Sequence, residues 1–147
     1  MFKIKSILFL SLLLSSISSY SHSVNDKELK CLADTIYHEG RGLDVREQVM
    51  IGKVVINRLN NPNFPKSICS VVYQKAKGKN GKSVRQFSWT ANGNKINEPE
   101  AHKRIIALAE RLVKETPLLH GESTGPLFFS KPVSKICRSG KICHRFR

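Results

Sequence analysis

Two helical patterns follow each other in the first half of the chain, and only six residues separate them. Between residues 26 and 38, apolar side chains recur at three- and four-residue spacing, which predicts one apolar helix face. Between residues 45 and 59 they are denser, which indicates a helix buried on most sides. Asp44 with Glu47 predicts the N-cap of this second helix, and Pro62 excludes its continuation. The chain is therefore expected to contain a helical pair joined by a tight turn.

Glu39 lies where the first pattern ends, in the stretch Tyr37-His38-Glu39-Gly40-Arg41-Gly42. The two glycines predict backbone freedom after the helix, which lets a protein place an acid at the edge of a cleft. A solvated glutamate at a helix end is the alternative interpretation of the same local sequence. His38 is expected to turn away on the helix surface, because adjacent helical residues do not share a face.

The remaining elements are shorter. Ser67 predicts the cap of a third helix that runs through Tyr73, and the stretch 98–100 predicts the start of a fourth. Residues 75–82 are basic and lack an apolar period, which indicates a loop that is either solvated or faces a substrate. Residues 127–129 and 142–146 predict two short strands that pair with each other. The expected fold is mainly α, in the α+β class, with a small β element near the C-terminus.

Residues 1–21 have the pattern of a secretory signal peptide. Lys3 and Lys5 precede an apolar core at residues 7–14, and Ser19 and Ser21 are small residues at a cleavage site. The core is shorter than the roughly 20 residues of a membrane span, although an uncleaved anchor is the alternative. Residues 22–147 are then one exported domain, periplasmic or secreted, with no membrane span after cleavage.

The charge of the chain is strongly positive. The formal net charge is +14, and only Lys3 and Lys5 of that excess lie in the signal segment. Such a field favours an anionic partner, namely nucleic acid, an acidic membrane surface or an envelope polymer. Export favours the cell wall polymer peptidoglycan over nucleic acid as this partner. We also expect the protein to be a monomer.

Four cysteines are expected to form disulfides, because an even number in an exported chain is typical of them. Three pairings are possible, and the preferred one joins Cys31 to Cys69 and Cys137 to Cys143. A zinc site is the alternative, but no Cys-x2-Cys pair is present and the five-residue gap between the last two cysteines is unusual for one. We therefore expect no metal and no other cofactor.

Several segments in order resemble the cell wall hydrolase family typified by the spore-cortex-lytic enzyme SleB. They are Ile36 to Gly42, Gln48 to Arg58, Asn63-Phe64-Pro65 with Ile68 to Gln74, Gln86 to Trp89, Pro99-Glu100-Ala101 and Phe128-Phe129. The resemblance covers about residues 31–146 and implies a goose-lysozyme-like helical domain that cleaves the glycan strand of peptidoglycan. It implies that Glu39 is the catalytic acid. Gly40 stands where the family often has alanine, and Leu43-Asp44 replaces a frequent second glutamate.

A single acid favours a lytic transglycosylase. Glu39 would protonate the glycosidic oxygen between N-acetylmuramic acid and N-acetylglucosamine, then accept the proton of the muramic C6 hydroxyl as that oxygen closes onto C1. A hydrolytic muramidase would need a second carboxylate, for which Asp44 is the nearest candidate, although a helix cap is its simpler role. Asp34 is on another side of the helix. Substrate-binding candidates are Tyr37, Asn57, Gln86, Phe87, Ser88 and Trp89.

Other functions are weaker alternatives. An N-acetylmuramoyl-L-alanine amidase would need histidines that converge on zinc, and the five histidines are scattered with no His-Glu-x-x-His pattern. An exported nuclease lacks a recognisable motif. A non-catalytic wall-binding protein on the same fold would not need Glu39. Arg58 is expected to hold a buried hydrogen-bond network or an ion pair.

Overall fold

The structure is a computed structural model that describes residues 24–116, 125–130 and 145–146. The elements in chain order are α1 (Asp26–Gly40), α2 (Val45–Asn60), α3 (Ile68–Val72), β1 (Lys75–Lys77), β2 (Ser83–Arg85), a 3₁₀ helix (Ser88–Ala91), α4 (Pro99–Glu115), β3 (Phe129–Ser130) and β4 (Arg145–Phe146). The fold is mainly α with small antiparallel β elements, which confirms the expected class. The signal segment lies outside the described residues.

The first three helices begin at side-chain caps that the sequence encodes. The Asp44 carboxylate accepts a hydrogen bond from the backbone N–H of Glu47 at 2.9 Å, and the Ser67 hydroxyl accepts one from Ser70 at 3.2 Å. Asn25 caps α1 in the same way, a cap that the sequence analysis did not assign. Each cap satisfies a backbone donor that the first helical turn leaves unpaired. The predicted starts of α2 and α3 are thus confirmed.

The core forms where α1 packs against α2, α3 and α4. Gly52 marks the closest approach, since a Cβ built there would lie 2.6 Å from Leu112 Cδ1 of α4 and 3.0 Å from Ile36 Cδ1 of α1. Fully buried side chains fill the space between the helices, and the largest are Tyr37, Phe87, Leu32, Ile36, Ile51 and Ile56. Burying apolar surface of this kind is the main favourable term in folding. The backbone of α1 is therefore fixed along its length by three neighbours.

A disulfide joins Cys31 of α1 to Cys69 of α3 and confirms one of the two preferred pairings. The same two helices are linked by a hydrogen bond from the Cys69 backbone N–H to a carboxylate oxygen of Glu28, at 3.0 Å. The other pair, Cys137 with Cys143, lies outside the described residues. The N-terminal half of α1 is thus held covalently to the short helix that follows α2.

Residues 75–85 form a β-hairpin, so the expectation of an irregular loop over residues 75–82 is wrong. Strand β1 pairs with β2 in antiparallel register, with Lys75 opposite Arg85. Gly81 turns the chain with φ of +74°, and its backbone N–H donates to the Gly78 carbonyl oxygen at 2.9 Å. The Asn80-Gly81 dipeptide is the sequence signal for this turn.

The predicted pairing of the two C-terminal strands is confirmed. Strand β3 pairs with β4 in antiparallel register, and Phe129 lies opposite Phe146.

Within the part of the chain that the structure describes, no helix is both long and apolar enough to cross a membrane.

Candidate active site at the end of helix α1

Glu39 is half-buried one residue before the end of α1. The helix closes at Arg41, whose backbone N–H donates to the Tyr37 carbonyl oxygen at 3.0 Å, and α2 begins at Val45. Only the turn at residues 41–44 separates the two helices. Glu39 therefore sits beside a tight, well-defined corner between α1 and α2.

Gly40 allows close packing and does not supply backbone freedom. Its φ is negative, as is that of Gly42, and the described residues with positive φ are Gly81 and Gly93. A Cβ at Gly40 would lie 2.7 Å from Cδ1 of Ile51, so the end of α1 rests directly on α2. The expectation of a glycine-loosened helix end is thus wrong, because the turn already closes with ordinary backbone angles.

Gln48 holds this corner in place. Its side-chain amide nitrogen donates to the carbonyl oxygens of Gly40, at 3.0 Å, and of Leu43, at 3.3 Å. The Gly40 carbonyl belongs to the last turn of α1 and also accepts from the Leu43 backbone N–H at 2.9 Å, while the Leu43 carbonyl belongs to the turn. This role of Gln48 is not visible in the sequence, since nothing in a helical pattern shows that a residue near a helix start reaches back to the preceding helix.

Tyr37 fixes α1 to the start of α4. Its ring is buried, and its hydroxyl oxygen accepts hydrogen bonds from the backbone N–H groups of Asn97, at 3.1 Å, and Glu98, at 3.0 Å. The Arg41 guanidinium lies 5.1 Å from the centroid of the Tyr37 ring. Arg41 Nε also donates to a Glu98 carboxylate oxygen at 2.8 Å. Tyr37 thus supports the backbone around Glu39 from inside the protein.

A polar network lies on another side of α1, around the buried carboxylate of Asp34. Lys30, Asn94 and His102 all donate to it, at 2.8, 2.6 and 2.8 Å. The Asn94 amide oxygen in turn lies 2.8 Å from Nε2 of His38. Asp34 is therefore surrounded by donors and buried, so it is placed as a structural anion and not as a partner for Glu39.

His38, which is expected to turn away on the helix surface, is half-buried there and packs against other side chains. Its ring stacks on the Trp89 indole with centroids 4.6 Å apart and planes inclined by 15°. The residue directly before Glu39 is thus clamped between Trp89 and Asn94. No sequence pattern indicates this contact, because its partners lie more than 50 residues away.

The predicted substrate-binding segment 86–89 lies against this network, but its side chains differ in exposure. Phe87 is 2% exposed and Trp89 8% exposed, and both belong to the hydrophobic core. Ser88 is exposed and Gln86 is half-buried. The faces of the two aromatic rings are thus used in packing, and the polar side chains of the segment are the ones that a ligand can reach.

Asn57 and Arg58 bind the backbone of the segment at residues 125–128. Asn57 Nδ2 donates to the Pro126 carbonyl oxygen at 3.0 Å, and Arg58 Nε donates to that of Leu127 at 2.7 Å. A Cβ at Gly125 would overlap the Asn57 amide. Burial of Arg58 lowers its pKa from the ordinary value of a guanidinium to about 10, which agrees with the predicted buried network.

The other carboxylate near the corner, Asp44, is engaged as the cap of α2. Glu98 is paired with Arg41. In the described ranges, no group of three or more His, Cys, Asp or Glu side chains is placed to hold a metal ion. Among these three carboxylates, Glu39 is the one that lies on α1, two residues before the turn begins.

Comparison with known proteins gives a consistent family. The family described as Cell Wall Hydrolase matches residues 42–143, a range that begins three residues after Glu39. The spore cortex-lytic enzyme of Bacillus subtilis (strain 168) is 38% identical over 50 residues, which are 34% of this chain and 16% of that protein. The spore cortex-lytic enzyme of Oceanobacillus iheyensis is 31% identical over 87 residues, 59% of this chain and 28% of that protein.

The aligned segments thus span well under a third of these curated relatives. No solved structure shows a significant match to this chain. The likeness to goose lysozyme therefore stays a prediction, and the part played by Glu39 is argued from its place in the fold.

Proposed function

We propose that this chain, which belongs to the cell wall hydrolase family, is an exported enzyme that cleaves the glycan strand of peptidoglycan with Glu39 as its acid. The family match, the names of the relatives and the positive charge support this substrate. Residues 1–21 serve as its signal peptide in this proposal.

The reaction that we propose is that of a lytic transglycosylase. Glu39 gives its proton to the oxygen between N-acetylmuramic acid and N-acetylglucosamine while that bond to C1 breaks. The muramic C6 hydroxyl then forms a bond to C1 and returns its proton to the Glu39 carboxylate, which gives a 1,6-anhydro end. No water enters the products, so no second carboxylate is needed to activate one.

One observation carries this choice of mechanism. Within the described residues, the two carboxylates considered as partners of Glu39 have other contacts: Asp44 caps α2, and Asp34 is buried among three donors. A hydrolytic muramidase that used either of them would have to withdraw it from these contacts. The half-buried position of Glu39 places its carboxyl group partly out of water, which suits a general acid.

The supporting roles follow from the contacts. Tyr37 and Gln48 position the corner that bears Glu39, through the start of α4 and through the carbonyls of the turn. Gln86 and Ser88 are proposed to contact the sugar hydroxyl and acetamido groups, while Trp89 and Phe87 form the wall behind them. Asn57 is proposed to act on the substrate through the segment at 125–128 that it anchors.

The test is digestion of purified peptidoglycan, with the released muropeptides identified by mass spectrometry. We expect anhydro-muramic ends from the wild-type protein and a loss of at least 100-fold with Glu39→Gln. Glu110→Gln is the matched control, because Glu110 is an exposed glutamate on α4, and it should digest like the wild type.

Other products identify the alternatives. Reducing muramic ends would replace the transglycosylase with a hydrolytic muramidase. Free stem peptides would indicate the amidase. Equal release by the wild type and Glu39→Gln would remove Glu39 from the mechanism, and binding without release by either would indicate a wall-binding protein.

A further inference from the structure

A groove lies between the corner after Glu39 and the outer face of α4. Its volume is about 410 Å³, within the range of roughly 300–1,000 Å³ that is usual for small-ligand sites. Gln48, which holds the corner, lines one side of it, and so does Arg41, two residues from Glu39. The groove thus adjoins the proposed catalytic corner without containing Glu39 among its lining residues.

Three arginines line this groove over an apolar surface. Arg41 is held at the start of α4 through Glu98, and Arg104 and Arg111 follow along the helix. Arg104 and Arg111 are seven positions apart, a rise of about 10.5 Å on a helix. The apolar contribution comes from Leu43, Ile105 and Leu108, and also from small alanines.

The arginines differ in how firmly they are engaged. The Arg111–Glu115 contact is 3.5 Å between two well-exposed side chains, which is a weak interaction. Arg104 is exposed and has no hydrogen-bond or ion-pair partner among the described residues. The Arg41–Glu98 pair shows that a guanidinium at this groove already binds a carboxylate. Arg104 and Arg111 are therefore available to bind further carboxylates.

The residues that line the groove indicate which class of ligand it suits. Sugar strands and nucleic acid bases stack on aromatic rings, and no aromatic residue lines the groove. A short acidic peptide with small apolar side chains suits an apolar floor with cations above it. An extended peptide advances about 3.3 Å per residue, so Arg104 and Arg111 are about three residues apart on such a chain.

We propose that this groove binds the acidic stem peptide that branches from the muramic acid of the strand being cleaved. The inference rests on the proposed function, since the stem is attached to the sugar that reacts. A bound stem would hold the strand on the enzyme near the end of α1, because Arg41, which lines the groove, directly follows that helix.

The first test compares intact peptidoglycan with glycan strands from which the stems have been removed. The wild type is expected to cleave stem-bearing strands faster at low substrate concentration. Arg104→Gln should reduce this preference by about tenfold, the usual effect of losing one hydrogen bond to a charged group. Lys103→Gln is the matched control, because Lys103 is exposed on the same helix but does not line the groove, and it should keep the preference. A preference that is absent from the wild type, or unchanged in Arg104→Gln, overturns the proposal.

The second test is independent of catalysis. The synthetic stem N-acetyl-L-Ala-γ-D-Glu-meso-diaminopimelyl-D-Ala, which has three carboxylates and one amine, is titrated into the full mature protein, and backbone amide shifts are followed by NMR. We expect shifts confined to the groove around residues 104–111, weaker binding of the isoglutamine form that lacks one carboxylate, and at least tenfold weaker binding to Arg104→Gln. Shifts elsewhere, or equal binding of both peptides, contradict the proposal.

The two tests separate this inference from the proposed function. Peptide binding in the groove without cleavage of any glycan would support the groove as a peptide site and overturn the proposed reaction. Glycan cleavage that depends on Glu39 but not on the stem would support the proposed reaction and overturn the groove as a stem site.

Discussion

The guanidinium of Arg58 is enclosed by three aromatic rings. Its central carbon lies 5.4 Å from the centroids of Phe64 and Phe87 and 5.2 Å from that of Phe128. Burial lowers its pKa from the ordinary value of a guanidinium to about 10. Because the folded-state pKa is the lower one, the cost of burying the charge is present in full below pH 10. That cost decreases as pH rises above about 10, where the unfolded chain still holds the proton.

We expect Arg58→Lys to lower the free energy of unfolding by about 2 kcal/mol at pH 7, because an ammonium loses the planar contacts with the rings and the Nε bond to Leu127. Burial also lowers the pKa of a lysine, so the deficit relative to wild type should shrink between pH 7 and 9.5. Urea unfolding at both pH values measures it. Arg46→Lys, at an exposed position of α2, is the control. A deficit that grows with pH would contradict the desolvated environment.

At the scale of elements, the helices were predictable and their cross-connections were not. Apolar spacing and local caps such as Asp44 and Ser67 are visible in sequence, and the structure has the helices where those signals lie. The β1–β2 hairpin was missed because its strands show no apolar alternation, and its turn depends on the single positive φ of Gly81. The same limit applies to the site. Glu39 was identifiable from its segment, but the contact of His38 with Trp89 joins residues distant in sequence.

The Cys31–Cys69 disulfide connects two of these elements across a separation of 38 residues. Closing a loop of that length restricts the unfolded chain, and its loss is worth about 3–4 kcal/mol. The double variant Cys31→Ala/Cys69→Ala should therefore unfold at a lower denaturant concentration than the wild type. In reducing buffer the difference should largely disappear. A difference that persists after reduction would assign the effect to packing of the side chains.

Over the whole molecule, charge is distributed unevenly. No Asp or Glu occurs between Glu47 and Glu98, and this stretch includes the lysine-rich hairpin. Lys75 and Arg85 even lie directly opposite each other on its two strands, an arrangement of like charges that costs stability. The positive charges of the hairpin are thus suited to contact with an anionic surface, whereas they do not stabilise the fold.

We expect association with insoluble peptidoglycan to weaken about tenfold or more between 50 and 500 mM salt, because exposed charges are screened over these concentrations. Co-sedimentation of the Glu39→Gln variant measures this without digestion. Replacing Lys75, Lys77, Lys79 and Lys82 by Gln should remove much of the salt dependence. Lys103→Gln with Lys114→Gln, two exposed lysines on α4, is a control that should retain it. Binding that is equal at both salt concentrations would exclude the electrostatic contribution.

The contacts of Asn57 and Arg58 with the segment at residues 125–128 determine which of these positions can change during evolution. Both side chains bind carbonyl oxygens, which every residue type possesses, so the identities of Pro126 and Leu127 do not enter into recognition. Gly125 has no such freedom, because any Cβ there would collide with the Asn57 amide. Residues 126 and 127 are therefore freer to change in descendants of this sequence than Asn57 and Arg58, and Gly125 is expected to change only together with Asn57.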